Sequence, residues 1–292
     1  MKIVVCIKQV PDTAEVKLDP KTGTLIRDGV PSIVNPFDAY ALELAARIKD
    51  NEPGSKITLI SMGPPPAEAA LKSCLAVGGA KAYQVSGREF GGSDTLATSY
   101  ILSCAVKKVR ELEGTNFDII FCGKQAIDGD TAQVGPQIAE KLGLPQVTYA
   151  EEIVDLKDGK ITVKRRLENG VETVKAPLPC VITVNGSAAE CRPRNAKRVM
   201  QYKFAVSPSE RQRLTPEQLA VVERRPELQL QEWGAAYVDA DPEQIGLPGS
   251  PTKVKAIENV VFTAKESLKL DGNNDGQIED LVKELIANHT IG

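Results

Sequence analysis

Histidine is almost missing from this chain: among 292 residues there is only His289. A Ser–His–Asp triad, a histidine acid/base pair or a histidine metal site would rest on the fraying end of the chain. Cysteine is present but scattered. Cys6, Cys74, Cys104, Cys122, Cys180 and Cys191 never lie closer than 11 positions apart, which excludes the CxxC pairs of zinc ribbons and iron–sulfur sites. Most of them sit in apolar stretches, where a thiol serves as a small core residue. Neither GxGxxG nor GxxxxGK[ST] occurs, so Gly78-Gly79 and Gly91-Gly92 form no standard dinucleotide fingerprint or Walker loop. Long apolar runs are lacking too: Ile3–Ile7 is typical, against the ~20 residues of a membrane helix. The apolar stretch after Met1-Lys2 is also too short for a secretory signal. With a net charge of −3, nothing global draws the chain to nucleic acid or an anionic membrane. These absences point to a cytoplasmic protein with no nucleic-acid partner and no membrane insertion. What remains, 42% hydrophobic and 26% charged, suits a globular chain with a sizeable core.

The first half alternates strand and helix signals. Strand signals fall at Lys2–Lys8, Ile57–Ser61, Ala82–Val85 and Phe117–Cys122; helical spacing falls at Phe37–Asp50, Ala67–Val77, Asp94–Glu113 and Thr131–Leu142. Such alternation predicts an α/β fold, a doubly wound, mostly parallel sheet covered on both faces. After about residue 150 the pattern becomes a meander, Glu152–Lys157, Lys160–Leu167 and Val171–Lys175. Asp158-Gly159 and Asn169-Gly170 supply its turns, and Val181–Val184 adds one more strand. Residues 1–204 are therefore expected to form the α/β core with its β-meander. Residues 205–292, broken by Pro208, Pro216, Pro226, Pro242, Pro248 and Pro251, form an extended arm needing a partner to pack on. Within the arm, Thr215-Pro216-Glu217-Gln218 reads as a capped helix start, and Ile278–Ala287 as a last helix.

The densest polar cluster is Gly123-Lys124-Gln125-Ala126-Ile127-Asp128-Gly129-Asp130-Thr131-Ala132-Gln133-Val134. It follows a strand and opens a helix, which is where open parallel sheets bind ligands. Free amides at 131–134 would face a phosphate. The same residues also suit a capping box, with Asp130 accepting from the Gln133 amide. Two aspartates beside a phosphate would repel it, so ribose hydroxyls, helix capping or a basic partner are their better uses. Asn35-Pro36-Phe37-Asp38 opens the first helix; with Cys6 at the end of the first strand it could line one side of a shared crevice. Asp271–Glu279 mimics a calcium loop, but Val282 stands where the bidentate glutamate belongs, so a polar turn and helix cap is expected. Arg192, Arg194, Lys197, Arg198 and Lys203 make a basic stretch opposed only by Glu190.

Taken together these motifs resemble the beta subunit of an electron transfer flavoprotein over nearly the whole chain. The resemblance rests on Val5–Asp12, Asn35-Pro36-Phe37, the specific Gly123–Asp128 run, the Arg165–Gly170 hairpin and Gly246–Thr252. It implies a heterodimer with an alpha subunit that carries an FAD. It also implies an adenine nucleotide in this chain's own crevice, held by Cys6, Asn35, Pro36, Phe37, Asp38, Met62 and the run Gly123–Val134. Two kinds of member exist. Electron shuttles hold a structural AMP; bifurcating members bind a second FAD and oxidise NADH there, acting as an NADH-oxidising subunit only with that FAD in place. The stretch Asp128–Gly135 is similar to the second kind, and the small Gly129 leaves room for a flavin diphosphate. The resemblance thus favours FAD with NADH as donor, AMP being the alternative. Electrons would pass toward the alpha-subunit FAD, an acyl-CoA dehydrogenase-type flavoenzyme and a low-potential acceptor, ferredoxin or flavodoxin. No catalytic side chain is expected, since the cofactor carries the chemistry. Glu190, Arg192, Arg194, Lys197, Arg198 and Met200 fall where members recognise a dehydrogenase. Here Glu190-Cys191-Arg192-Pro193 departs from the family's usual Glu-Pro-Arg-Tyr. Were the resemblance misleading, a stand-alone adenine-nucleotide sensor would be the remaining reading.

Overall fold

The computed structural model of the chain describes residues 1–12, 17–18, 25–26, 31–252 and 269–291. Residues 253–268, inside the expected arm, lie outside the described residues. The chain divides into two compact units, Met1–Lys255 and Ala256–Gly292.

In the first unit, β1 (Lys2–Cys6) leads into two short antiparallel pairs, β2 (Gln9–Pro11) with β5 (Ser32–Val34) and β3 (Lys17–Leu18) with β4 (Leu25–Ile26). Then come α1 (Pro36–Asn51), β6 (Lys56–Met62), α2 (Glu68–Val77), β7 (Lys81–Val85), α3 (Thr95–Glu113), β8 (Ile119–Gly123) and α4 (Val134–Leu142). The meander β9 (Gln146–Lys157), β10 (Lys160–Leu167) and β11 (Gly170–Pro177) follows, then β12 (Cys180–Val184), α5 (Ala196–Gln201), α6 (Pro216–Arg224) and β13 (Gln231–Trp233). Nine strands form one sheet in the order β11-β10-β9-β12-β8-β1-β6-β7-β13. Only the pairings of β10 with β9 and β11 are antiparallel; the rest of the sheet is parallel. The α/β expectation with a mostly parallel sheet holds.

Successive residues of β1 show why both faces are covered. Ile3 and Val5 belong to one apolar cluster, together with Leu42 and Ala45 of α1 and Leu71 and Leu75 of α2. Val4 and Cys6 belong to the other, together with Ile101 and Ala105 of α3 and Ile138 and Ala139 of α4. A strand's side chains alternate between faces, so a run with no polar member must be roofed by helices on both. Asp94 caps α3 by accepting from the Ala97 amide at 3.0 Å, and Gly114 closes that helix at φ 62°.

Two local expectations are corrected. Helix α4 starts at Val134, not Thr131; Asp130 and Ala132 take φ values of 50° and 54°, which no helix tolerates. The Asp130–Gln133 capping box does not form, and no side chain caps α4. Strand β13 and helix α5 lacked a readable period because each is so short. β13 is held by burial of Trp233, which stacks on Tyr83 at 4.4 Å and lies 5.4 Å from Tyr237. The first unit continues past residue 204 without a break. The Val206 amide donates to Leu228 O, the Leu230 amide donates to Val206 O, and Ala205, Val222 and Leu228 are buried in the core. The Thr215–Gln218 capping box forms as expected.

In the second unit, α7 (Asp275–Ala287) is capped by Asn274, which accepts from the amides of Gly276 and Gln277. The calcium-like stretch is thus a polar turn and helix cap. Among the described residues no cluster of three or more metal-ligating side chains occurs.

Candidate functional site: a crevice at the switch point of the sheet

From β1 the chain winds outward through β6 and β7, then returns to place β8 on the opposite side of β1. The connections after β1 and β8 therefore diverge and open a crevice beyond their carboxyl ends. It has a volume of about 1060 Å³.

Asp38 in the first turn of α1 ties the two strand ends together. Its Oδ2 accepts from the Lys8 amide at 2.7 Å and its Oδ1 from the Gly123 amide at 3.1 Å. Burial pushes this carboxyl up to about 7, although both amides and Asn35 favour the charged form. Gly123 has to be glycine, because a Cβ there would strike Asp38 and come within 2.7 Å of the Phe37 backbone. Asn35, 1% exposed, caps nothing with its side chain. Its Nδ2 donates to Gln125 O at 2.8 Å, and its Oδ1 accepts from the Ile127 amide at 3.3 Å. Lys8 Nζ pairs with Asp128 Oδ1 at 2.6 Å. Gln125 Nε2 donates to Asp130 Oδ1 at 2.7 Å, and Thr95 Oγ1 donates to Gln133 Oε1 at 3.1 Å across the start of α3. The loop 124–133 is thus fastened through its first part, where the amides of Lys124, Ile127, Gly129 and Asp130 and the Gln125 carbonyl are all bonded. Among the described residues no protein acceptor faces the amides of Thr131 through Gly135. Helix starts in this condition attract anionic groups. Nothing stands within 4 Å of where a Cβ of Gly129 would lie.

The geometry sorts the residues singled out from sequence. Cys6, Asn35, Asp38 and Met62 line the crevice, as do Gly123, Lys124, Gln125, Ala126 and Gly129 through Val134. Pro36, Phe37, Ile127 and Asp128 do not. Pro36 occupies the first turn of α1, and Phe37 packs beside Gly123 and Gly186. Asp128, with its side chain 5% exposed, is committed to Lys8. The far wall was not anticipated: Gly63–Pro65 after β6 and Ser86–Arg88 with Phe90–Thr95 after β7. Loops following parallel strands share one edge, so Gly63, Gly87 and Gly91-Gly92 were the available signal. Ser209 and Glu232 also line the crevice, and nothing local in their sequence marks them.

The basic stretch is corrected. Arg192 Nε reaches Glu43 Oε2 at 2.8 Å and its Nη1 reaches Asp50 Oδ2 at 2.7 Å, so α1 supplies the opposing charge. Arg198 donates to Leu75 O and Gly79 O at the end of α2, and Arg194 to Ser73 Oγ at 3.4 Å. Glu190 makes no ion pair among the described residues. Lys197 and Met200 stay exposed, Met200 at 65%.

Fold and crevice together define an α/β protein with a ligand-sized cleft, rich in backbone donors, at the switch point of a parallel sheet. Residues 22–208 match the Electron transfer flavoprotein domain family. The chain is 46% identical over 297 residues to the electron transfer flavoprotein subunit beta of Megasphaera elsdenii, covering 100% of both. It is 54% identical over 183 residues to the caffeyl-CoA reductase-Etf complex subunit CarD of Acetobacterium woodii, covering 63% of this chain and 68% of that one. It is 41% identical to the protein FixA of Azorhizobium caulinodans, covering 98% and 94%. The chain belongs to the electron transfer flavoprotein family, among its beta subunits, and its class of work is electron transfer. No described helix is long and apolar enough to cross a membrane.

Proposed function

We propose that this chain is the beta subunit of a cytoplasmic, heterodimeric electron transfer flavoprotein of the bifurcating kind, with a Rossmann-like crevice that holds FAD. Its observation of record is the unpartnered run of amides at Thr131–Gly135 beside the open space at Gly129. That combination suits a diphosphate, and a cleft of about 1060 Å³ lies just above the roughly 300–1,000 Å³ usual for small-molecule sites. When bound, the flavin supplies hydride acceptance from NADH and passage of electrons toward the alpha-subunit FAD and a ferredoxin or flavodoxin. This chain's own residues orient and enclose it. The 131–135 amides and the start of α4 hold phosphate oxygens. Asp38, Asn35 and the Lys8–Asp128 pair keep the loop 124–130 in its binding shape. Asp130, held by Gln125, offers a carboxylate to ribose hydroxyls. No side chain moves a proton in this reading, in keeping with the shortage of histidine.

An acyl-CoA dehydrogenase-type flavoenzyme is proposed as partner, supported by a relative whose name places it in a CoA-ester reductase complex. The exposed Lys197 and Met200 of α5 are the proposed contact, and the C-terminal arm is proposed to pack on the alpha subunit. The stand-alone sensor reading depended on the resemblance failing, and it does not survive family membership.

The deciding experiment is nucleotide extraction from the co-purified heterodimer. Two FAD per heterodimer, one of them lost in Asp130→Ala with the alpha-subunit flavin kept, is the expected result. One FAD and one AMP would make the crevice a structural nucleotide site and remove NADH oxidation from this chain.

A further inference from the structure

Two thiols, Cys6 and Cys122, lie on the crevice floor, and the proposed function uses the sulfur of neither. In the parallel pairing of β1 with β8, Ile3 stands opposite Ile119 and Val5 opposite Phe121. Cys6 and Cys122 are the next residues in that register. Paired strands lie about 4.8 Å apart, inside the roughly 4.4–6.8 Å Cα separation that a disulfide spans. Both side chains point to the same face of the sheet, into the cluster that holds Val4 and Ile120. Both also line the crevice. All six cysteines are free. Above them, Gly135 in the first turn of α4 packs closely: a Cβ there would strike the Thr183 methyl at 2.5 Å and sit 3.8 Å from Cys122 Sγ.

We propose that Cys6 and Cys122 form a vicinal dithiol at the crevice floor that a peroxide converts into an intrachain disulfide. The Cys6 sulfur attacks one peroxide oxygen, the O–O bond breaks, and the departing hydroxide takes the thiol proton to leave as water. Cys6 is then a sulfenic acid. The Cys122 sulfur attacks it, the S–O bond breaks, and the hydroxyl leaves with the Cys122 proton as a second water. Two thiols and one hydrogen peroxide give one disulfide and two waters, two electrons passing from sulfur to peroxide.

The order of attack follows from the surroundings. Its contact with Cys6 and its burial both push the Cys122 thiol up, making it the slower first nucleophile and the resolving partner. Standing next to Cys6 in the strand register, it resolves the sulfenic acid intramolecularly, ahead of further oxidation. The new bond would staple β1 to β8 under the cleft, whichever nucleotide the cleft holds, so the inference stands apart from the choice between FAD and AMP.

The test treats the full-length protein with hydrogen peroxide, blocks remaining thiols by alkylation and maps the peptides by mass spectrometry. The expected result is a linked pair of peptides containing Cys6 and Cys122, about 2 Da lighter in sum and separated by a reductant. Cys122→Ser should instead leave a sulfenic acid on Cys6 that dimedone traps; should that variant fail to fold, the map of the parent protein decides alone. Cys6 and Cys122 both still alkylated after the half-buried Cys191 has been fully oxidised would overturn the proposal. So would a link joining Cys191 to Cys74 of α2, which lines the same small pocket, in its place.

Discussion

Asn35→Ala is the sharpest perturbation the crevice offers, because one buried side chain holds two backbone groups of a loop some ninety positions away. Truncation leaves the Gln125 carbonyl and the Ile127 amide without their partner. A buried polar group stripped of its hydrogen bond costs ~1–3 kcal/mol. The 2.8 Å bond to Gln125 carries most of this, since the 3.3 Å bond is long and Ile127 is 37% exposed and open to water. A total of ~2 kcal/mol follows, which in a domain of this size lowers Tm by roughly 4–8 °C. If about half of that reflects loosening of the loop rather than global unfolding, nucleotide affinity falls about fivefold. Thermal melts of parent and variant, each with and without saturating adenine nucleotide, read both effects. A variant melting within 1 °C of the parent, with an unchanged nucleotide-induced shift, would refute the claim that Asn35 shapes the loop.

Three further outcomes are expected. Gly123→Ala forces a methyl against Asp38 and the Phe37 backbone, costing ~1–3 kcal/mol by overpacking; the readout is the urea midpoint together with bound nucleotide, and a variant equal to the parent in both would be inconsistent with the clamp. Asp38, pushed up to about 7 from 3.8, holds its proton more tightly folded than unfolded. Its contribution to stability is therefore complete below about pH 4 and is lost as pH rises through about 7. Urea midpoints between pH 4 and 8 should fall across that window in the parent more steeply than in Asp38→Asn, and parallel curves would argue against it. Arg192→Ala removes two side-chain bonds from the buried Glu43 carboxylate, which keeps the residue-192 amide and Arg47, and should cost ~1–3 kcal/mol, so a variant of full stability that only binds a dehydrogenase more weakly would contradict the structural role given to Arg192.

How much was legible beforehand divides by the range of the interaction. The strand and helix spans of the first half, the meander with its Asp-Gly and Asn-Gly turns, and the Thr215 capping box were all readable, because each depends on neighbours within a few residues. The crevice was placed at the right edge of the sheet for the same reason: a strand running into glycine-rich polar sequence and then a helix is a local pattern. The start of α4 was misplaced by three residues, since Asp130 and Ala132 are held in left-handed conformations by ties to Gln125 and to the loop's distant anchors.

By itself, then, the order of residues determined the alternating α/β architecture, the doubly buried strands and the cleft-forming segment. Local sterics and periodicity decide these before the chain has folded. Only the tertiary structure decided that Asp128 is an anchor for Lys8 and not a lining residue, that Arg192 belongs to Glu43 and Asp50, that Trp233 adds an edge strand beside β7, and that Cys6 and Cys122 come to adjacent strands. Each of these joins groups roughly 120 to 150 positions apart. Their meeting depends on strand order and register, which arise from packing the whole sheet and leave no mark on either partner's neighbours in sequence.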